Sequence, residues 1–459
     1  MEPIFLEQWL HGIIRQKARE DTGYRQFRDK DNIDRVERAD IDNYQLFKLR
    51  KTLAYIYEKS TFYRELFVKN GIDVSDIKSL DDINKIPFTN PADLAQHPYH
   101  FICVSLGDIA RITTFTSSGT IGPQKRIFFT DNDLDTMTDF MAAGIGCVAN
   151  KGDVVQILLP SVRPNDQADL LAKGVRKMGG IPVIAGITPT SEEQLKIIEA
   201  SKSSVLFSSI YHINRITQET RYSHNLKALG VKTLFVTSEY VAESIRKQLG
   251  EIWNCEVCVH YGLTEMGLGV AVECGARNGY HFNEADLLVE IIDPETGSVL
   301  KDGEEGELVF TTLNREAMPL IRYRTGDVGK MISEPCACGA YTLRKIGKVN
   351  RRLEATVKIG EDDIVYPSMF DELIYSIPGI IDYQLTLDKQ QDRDTFMFKV
   401  EVARENEDVR QSVAGAVVSH PLIRKYIESN TLASPAVELV GQGALTQMNR
   451  AKKLIIDKR

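Results

Sequence analysis

Between about residues 110 and 260, short apolar runs alternate with amphipathic segments, and this restricts the fold of the 459-residue chain more than any other feature. Val154 to Leu159, Ile181 to Ile184, Ser204 to Phe207, Thr233 to Thr237 and Cys255 to Tyr261 read as buried strands. Ala168 to Met178 and Ser191 to Ala200 carry helical periodicity between them. Strands alternating with helices of this length predict parallel sheets covered by helices, an α/β fold. Ahead of this block, Leu46, Leu49, Leu53, Ile56 and Tyr57 recur at helical spacing, so the first hundred residues read as mostly helical. Behind it the texture turns to strands and turns: Leu287 to Ile292, Gly306 to Thr312 and Asp327 to Ile332 are strand candidates in a β-rich subdomain near 266–346. The last stretch suits a small α+β domain. The expected organisation is therefore a large N-terminal domain, 1–347, and a small C-terminal domain, 348–459.

At this length two to four domains are expected. A net charge of -8 argues against non-specific nucleic-acid binding, which needs clustered cationic surface. No apolar run reaches the ~18 residues of a membrane span. Met1 to Glu7 lacks the basic and apolar regions of a signal peptide, and seven cysteines do not make a secreted disulfide framework, so a cytoplasmic location is expected.

Several polar stretches stand at the ends of the expected strands. Thr116-Ser117-Ser118-Gly119-Thr120-Ile121-Gly122-Pro123-Gln124-Lys125 lies between strands read at Ala110 to Phe115 and Arg126 to Thr130. Glycine allows close backbone approach, hydroxyls donate and lysine brings charge, which suits a loop around a polyphosphate; the same residues also suit an ordinary hairpin turn. Thr237-Ser238-Glu239-Tyr240 follows a strand at the edge where open α/β sheets bind ligands. Tyr261-Gly262-Leu263-Thr264-Glu265 offers an aromatic face, a hydroxyl and a carboxylate able to hold Mg²⁺. In Tyr323-Arg324-Thr325-Gly326-Asp327 a turn is expected to present an acid to a ribose hydroxyl pair. Cys274, His281, Cys336 and Cys338 supply four soft ligands in two short-spaced pairs, suited to a closed structural Zn²⁺ site or, alternatively, unrelated thiols. Cys255 and Cys258 fall in a strand-like run and read as core.

In this order and spacing the stretches resemble the adenylate-forming superfamily of acyl-CoA synthetases and peptide-synthetase adenylation domains, nearest its phenylacetate-CoA ligases. The resemblance runs over nearly the whole chain. It takes in Thr52-Leu53-Ala54-Tyr55-Ile56, Ser60-Thr61-Phe62-Tyr63, Pro87-Phe88-Thr89 and Gly269-Val270-Ala271-Val272-Glu273-Cys274. Its most specific part is Gly303 to Leu313 running into Met318-Pro319-Leu320-Ile321-Arg322 and the Tyr323 to Asp327 stretch.

The resemblance implies that a carboxylic acid attacks the α-phosphate of ATP, giving an acyl-adenylate and pyrophosphate, after which a nucleophile, by default coenzyme A, displaces AMP. An amine or a carrier-protein thiol is the alternative acceptor, and a non-catalytic nucleotide-binding homologue is a further alternative. It also implies that Ser117, Ser118, Gly119, Thr120, Gly122 and Lys125 close over the β- and γ-phosphates and that Glu265 coordinates Mg²⁺. Ser238, Glu239 and Tyr240 then line adenine, Tyr261, Gly262 and Thr264 lie beside adenine and the α-phosphate, and Asp327 takes the ribose. An acyl pocket is expected after Val154 to Leu159 and around Val205 to Tyr211. Arg163, Ser209, Tyr211, His212 and Gly262 are its candidates, and Arg163 or His212 would meet a polar substituent.

The chain departs from the family pattern twice. The usual Gly-Arg-x-Asp-Asp boundary reads Gly347-Lys348-Val349-Asn350-Arg351, so Lys348 keeps the charge without the bidentate fork. The usual terminal Gly-Lys reads Asn449-Arg450, which leaves Arg450 or Lys452 to supply the catalytic charge. The acid's identity and oligomeric state, a homodimer included, stay open.

Overall fold

The computed structural model describes residues 5–28, 35–115, 124–237, 240–390, 393–404, 406–445 and 453–459. The chain packs as two units. The first comprises Met1–Gly152, Ser161–Ile181 and His260–Lys348; the second comprises Asp153–Pro160, Pro182–Val259 and Val349–Arg459. No helix among the described residues is long and apolar enough to cross a membrane.

In the second unit the alternating pattern gives parallel strands at Val154–Ile157, Val205–Ser209 and Thr233–Thr237, continued by the strand Glu256–Tyr261. Their register pairs Val155 with Val205, Phe207 with Phe235 and Leu234 with Val257, so the continuous apolar runs are buried on both faces. The helices Ser191–Ser201, Ile210–Thr220 and Glu243–Trp253 intervene, each with one buried stripe. Cys258 is half-buried within the last strand and Cys255 lies one residue ahead of it, also half-buried, so neither is a full core residue.

The unit's C-terminal part is α+β. Ile380–Gln390 and Arg393–Val402 pair antiparallel, with Ala436–Val440 and Ile455–Asp457 added in parallel at the edges. Phe370, Tyr383, Phe396 and Phe398 pack beneath the sheet with ring centroids 5.3–6.4 Å apart among neighbouring pairs.

The first unit joins helices to antiparallel strands. Leu10, Ile14, Tyr24, Ile41, Tyr44 and Phe47 make one buried cluster from its N-terminal helices. Ser60 ends the helix Arg38–Lys59 and caps the next, Thr61–Asn70. The hairpin Arg111–Phe115 with Lys125–Phe129 runs straight into the helix Asp131–Ile145. Thr130 and Asp133 form a reciprocal capping box at that junction, satisfying amides that the helix start leaves open.

Leu287–Ile292, Gly306–Thr312 and Tyr323–Gly329 form an antiparallel sheet. Here the structure corrects the expectation of a turn at 323–327 and of one strand from Asp327 to Ile332. Asp327 lies inside the strand Tyr323–Gly329, and Met331–Ile332 is a separate strand. The physical reason is a bulge. The register jumps between Glu307 and Val309, Gly326 takes a φ of 72°, and Thr325 Oγ1 donates to the Leu308 carbonyl. The turn residues are there, but they kink a strand and do not end it.

Candidate functional site

Lys125 is the first residue of its strand and is 7% exposed. Its Nζ lies 2.6 Å from Glu265 Oε1 and 3.3 Å from the Tyr323 hydroxyl, and 5.0 Å from the ring centre of Phe115. Tyr323 OH in turn donates to Glu265 Oε1 at 2.8 Å. Burial pushes the Glu265 carboxyl up, but the Lys125 ammonium and the hydrogen bonds from Lys125 and Tyr323 outweigh it and hold it below the ordinary value. The result is a buried, ionised carboxylate with a cation beside it.

Glu265 sits in a tight turn that follows the strand Glu256–Tyr261. Leu268 N donates to the Leu263 carbonyl at 2.8 Å, Gly267 N to the half-buried Thr264 at 3.2 Å, and Val270 N to Tyr261 at 3.1 Å. Gly262 is required here by close approach, since a Cβ would stand 2.2 Å from the Leu268 carbonyl oxygen. Just before the turn, Tyr261 OH donates to Asp327 Oδ2 at 2.7 Å. Asp327 is 1% exposed, and its N–H donates to Thr325 Oγ1 in the bulge. Thus Lys125, Glu265, Tyr261 and Asp327, all expected from the sequence, converge in the first unit.

The strand carrying Tyr323 and Asp327 is clamped by residues that the sequence reading used only as markers of resemblance. Thr89 N donates to the Arg322 carbonyl, Arg324 N donates to the Thr89 carbonyl, and Tyr63 OH accepts from Ile321 N at 2.8 Å. Arg322 forks onto both oxygens of Glu290 at 2.8 and 3.0 Å and stacks 4.0 Å from the Phe88 ring centre. Tyr323 itself was not singled out as a site residue; its place at the end of Met318 to Arg322 was the available signal.

In the second unit, Tyr240 OH lies 3.5 Å from Glu372 Oε1, and burial followed by that carboxylate pushes its pKa up to about 12. Ser209 caps the helix Ile210–Thr220 by accepting from His212 N at 3.2 Å. His212 Nδ1 is 3.2 Å from Ser208 Oγ; burial, then Arg215, lower its pKa to about 4, so the ring is neutral. The Tyr211 ring lies 4.6 Å from Lys453 Nζ. Arg163, in the first unit, is exposed, and its backbone N–H donates to Asp166. Lys348, the last residue of that unit, is half-buried. Ser117, Ser118, Gly119, Thr120, Gly122, Ser238, Glu239, Arg450 and Lys452 lie outside the described residues.

Cys274, His281, Cys336 and Cys338 also converge in the first unit. Their ligand atoms all lie within 4.8 Å of one another. Cys274 Sγ is 3.5 Å from Cys336 Sγ, and Cys338 Sγ is 3.4 Å from His281 Nε2. The other ring nitrogen, Nδ1, is 3.2 Å from the Arg344 carbonyl oxygen. A proton on Nδ1 donated to that carbonyl leaves the Nε2 lone pair facing the sulfurs, the outer-shell arrangement of a metal-ligating histidine.

Comparison with known proteins places this geometry. The AMP-binding enzyme family matches residues 116–314, and the AMP-binding enzyme C-terminal domain matches 363–459. The chain belongs to the AMP-binding enzyme family. Within it, the chain falls in the phenylacetate-CoA ligase-like branch of adenylate-forming enzymes. The phenylacetate-coenzyme A ligase of Thermus thermophilus is 30% identical over 384 residues, 81% of this chain and 83% of that protein. That of Pseudomonas putida is 29% identical over 446 residues, 94% of this chain and 98% of that protein. A crystal structure of 2-hydroxyisobutyryl-CoA ligase in the postadenylation state shares the fold, with a TM-score of 0.78 at 18% identity, covering 92% of this chain and 91% of that one.

Proposed function

We propose that this AMP-binding enzyme is an AMP-forming acid–thiol ligase that activates a small aromatic carboxylic acid with ATP and passes the acyl group to coenzyme A. The supporting observation is the buried Lys125–Glu265–Tyr323 cluster beside the Tyr261–Asp327 pair, in a chain 28–31% identical to phenylacetate-coenzyme A ligases over most of its length. A carboxylate oxygen of the acid attacks the α-phosphorus, the bond to the bridging oxygen breaks, and pyrophosphate leaves. The thiol sulfur then attacks the acyl carbon, AMP departs, and the thiol proton passes to solvent.

Lys125, with the Ser117 to Gly122 loop, takes the β- and γ-phosphates in this reading. Charge on the leaving pyrophosphate then meets a fixed cation, the electrostatic contribution that usually dominates catalysis. Asp327, steadied by Tyr261, accepts from the ribose, while Ser238, Glu239 and Tyr240 line adenine. Lys348 approaches the nucleotide from the boundary of the C-terminal domain, 348–459, and Arg450 or Lys452 brings charge to the reacting carboxylate. Ser209, Tyr211 and His212, with Gly262, shape the acyl pocket. A buried, ionised carboxylate suits Mg²⁺, which takes one or two carboxylates plus substrate phosphates. Glu265 would hold that ion, which would supply further charge neutralisation at the phosphates. The cysteine–histidine cluster would hold a structural Zn²⁺ with four protein ligands and no open position, a role in folding and not in chemistry.

ATP–pyrophosphate exchange over a panel of acids tests the proposal, followed by assay of thioester formation with coenzyme A. Stimulation by an aryl acid and consumption of the thiol are expected. Exchange without thioester points to an amine or carrier-protein acceptor, and ATP binding without exchange by any acid overturns the catalytic reading.

A further inference from the structure

We propose that Arg315 is a positioning residue for the Lys125–Glu265 pair, an inference that rests on the nucleotide role given to that pair above. Arg315 lies in the loop between the strands Gly306–Thr312 and Tyr323–Gly329. Its guanidinium carbon is 4.7 Å from the ring centre of Phe129, the last residue of the strand that begins with Lys125. Its Nη2 packs against the turn that carries Glu265: a Cβ at Gly267 would stand 2.9 Å from it. One planar cation therefore touches both elements that deliver the pair.

The loop is fixed. Asp133 Oδ1 accepts from Glu316 N at 2.7 Å and Oδ2 from Ala317 N at 3.0 Å. Leu313 N donates to the Asp286 carbonyl at 2.7 Å, and Asn314 Nδ2 to the Ala285 carbonyl at 3.0 Å. Arg315 is thus held from behind while its head meets Phe129 and Gly267.

The choice of residue is costly. Nη1 is buried and finds no hydrogen-bond partner among the described residues. Burial of the guanidinium pushes its pKa down, and the charges of Asp133 and Asp286, with the aromatic face, counter that only in part. A cavity between the helix Asp131–Ile145 and this loop is lined by Asp133, Met137, Asn283, Asp286 and Arg315 itself, with Gly267 at its wall. An apolar side chain would fill such a space without the desolvation penalty, because buried ionic groups add little stability over well-packed apolar ones. A flat, charged group that spans two elements suits alignment of the pair better than simple filling.

The test compares Arg315→Met, which keeps length but removes charge and planarity, with Arg315→Lys, which keeps charge. Crystal structures of both variants read the Lys125 Nζ–Glu265 Oε1 separation, 2.6 Å in the parent. Exchange assays read kcat, the KM for the acid and the Mg²⁺ concentration at half-maximal rate. Arg315→Met is expected to separate the pair, lower kcat by roughly tenfold or more and raise the Mg²⁺ requirement several-fold, with the acid KM within about twofold. Arg315→Lys recovers part of each loss. General destabilisation would lower the melting temperature and the yield of active enzyme without moving the Mg²⁺ requirement. A folded Arg315→Met variant with the pair intact and kcat unchanged overturns the proposal. Should the parent itself show no exchange, the proposed activity fails and the crystallographic separation still decides the role of Arg315.

Discussion

Two buried lysines in this molecule solve the same problem in different ways. Among the described residues Lys125 meets one carboxylate, Glu265 at 2.6 Å, one tyrosine hydroxyl and a distant ring. Lys453 lies 3.0 Å from both Asp371 Oδ1 and the Tyr375 hydroxyl, 3.9 Å from Asp382, and 3.8–4.8 Å from the rings of Tyr211, Tyr375 and Tyr383. Lys453 is caged by aromatic faces, which attract a desolvated cation. Among the described residues Lys125 has a sparser set, held by a strand and a tight turn; in the proposed reaction a phosphate takes over the role of Glu265. In the proposed function the surroundings of the ammonium, as far as the described residues give them, separate an anchor from a working residue.

The largest expected effect comes from Lys125→Met. It leaves Glu265 buried without its partner, so stability falls by about 3–5 kcal/mol, and pyrophosphate exchange drops roughly 100-fold or more in the protein that remains folded. Lys453→Met should cost a similar about 3–5 kcal/mol in denaturant titrations yet change exchange less than about threefold, because its hydrogen-bond partners, Asp371 and the Tyr375 hydroxyl, belong to the C-terminal fold. If Lys453→Met abolished exchange while fully folded, the contrast drawn between the two lysines would be wrong.

Metal removal is expected to come next. Mass spectrometry under native conditions should find one zinc per chain, and stripping it or introducing Cys338→Ser should lower the melting temperature by about 5–10 °C with little change in kcat. Finding the four ligands reduced and no metal removes that site.

The pH dependence is smaller. The Glu265 pKa is depressed in the folded protein, so its contribution is present above the unfolded carboxylate pKa and disappears as pH falls through the folded value. His212, lowered to about 4 from 6.5, acts in the same sense: the unfolded chain binds its proton first, and stability declines as pH falls from 6.5 towards 4. Glu265→Gln should flatten the acid limb below pH 4.5, and His212→Gln the limb above it; equal slopes in parent and variants would discard these assignments. The smallest effect is expected of Arg163→Ala. With Arg163 exposed, acid selectivity should stay within about twofold, and a changed profile would support its place in the acyl pocket.

Much of the site was legible because adenylating chemistry needs particular residue types at strand ends. Lys125, Tyr261, Glu265 and Asp327 were all named from polar stretches after apolar runs, and they meet. Tyr323 and Arg315 were given no role, since a tyrosine or arginine in a strand-rich segment has no periodicity that marks a partner as far as 198 residues away. The bulge at Thr325 to Asp327 was read as a turn because the same glycine chemistry serves both, and only pairing with Gly306–Thr312 distinguishes them. Near the C-terminus the family pattern points to Arg450 and Lys452, and nothing local marks Lys453, whose burial depends on Asp371, Tyr375 and Tyr383 arriving from elsewhere.

By itself, the sequence determined the α/β alternation, the family and the inventory of reactive groups, because periodicity and short motifs are local properties of the chain. The tertiary structure decided which of those groups share a site. It brought the four candidate ligand atoms of the cysteine–histidine cluster within 4.8 Å across 64 residues of chain, paired Lys125 with Glu265, and packed Lys453 among aromatic rings. Partners that far apart are set by strand register and burial, and neither is written in any local stretch.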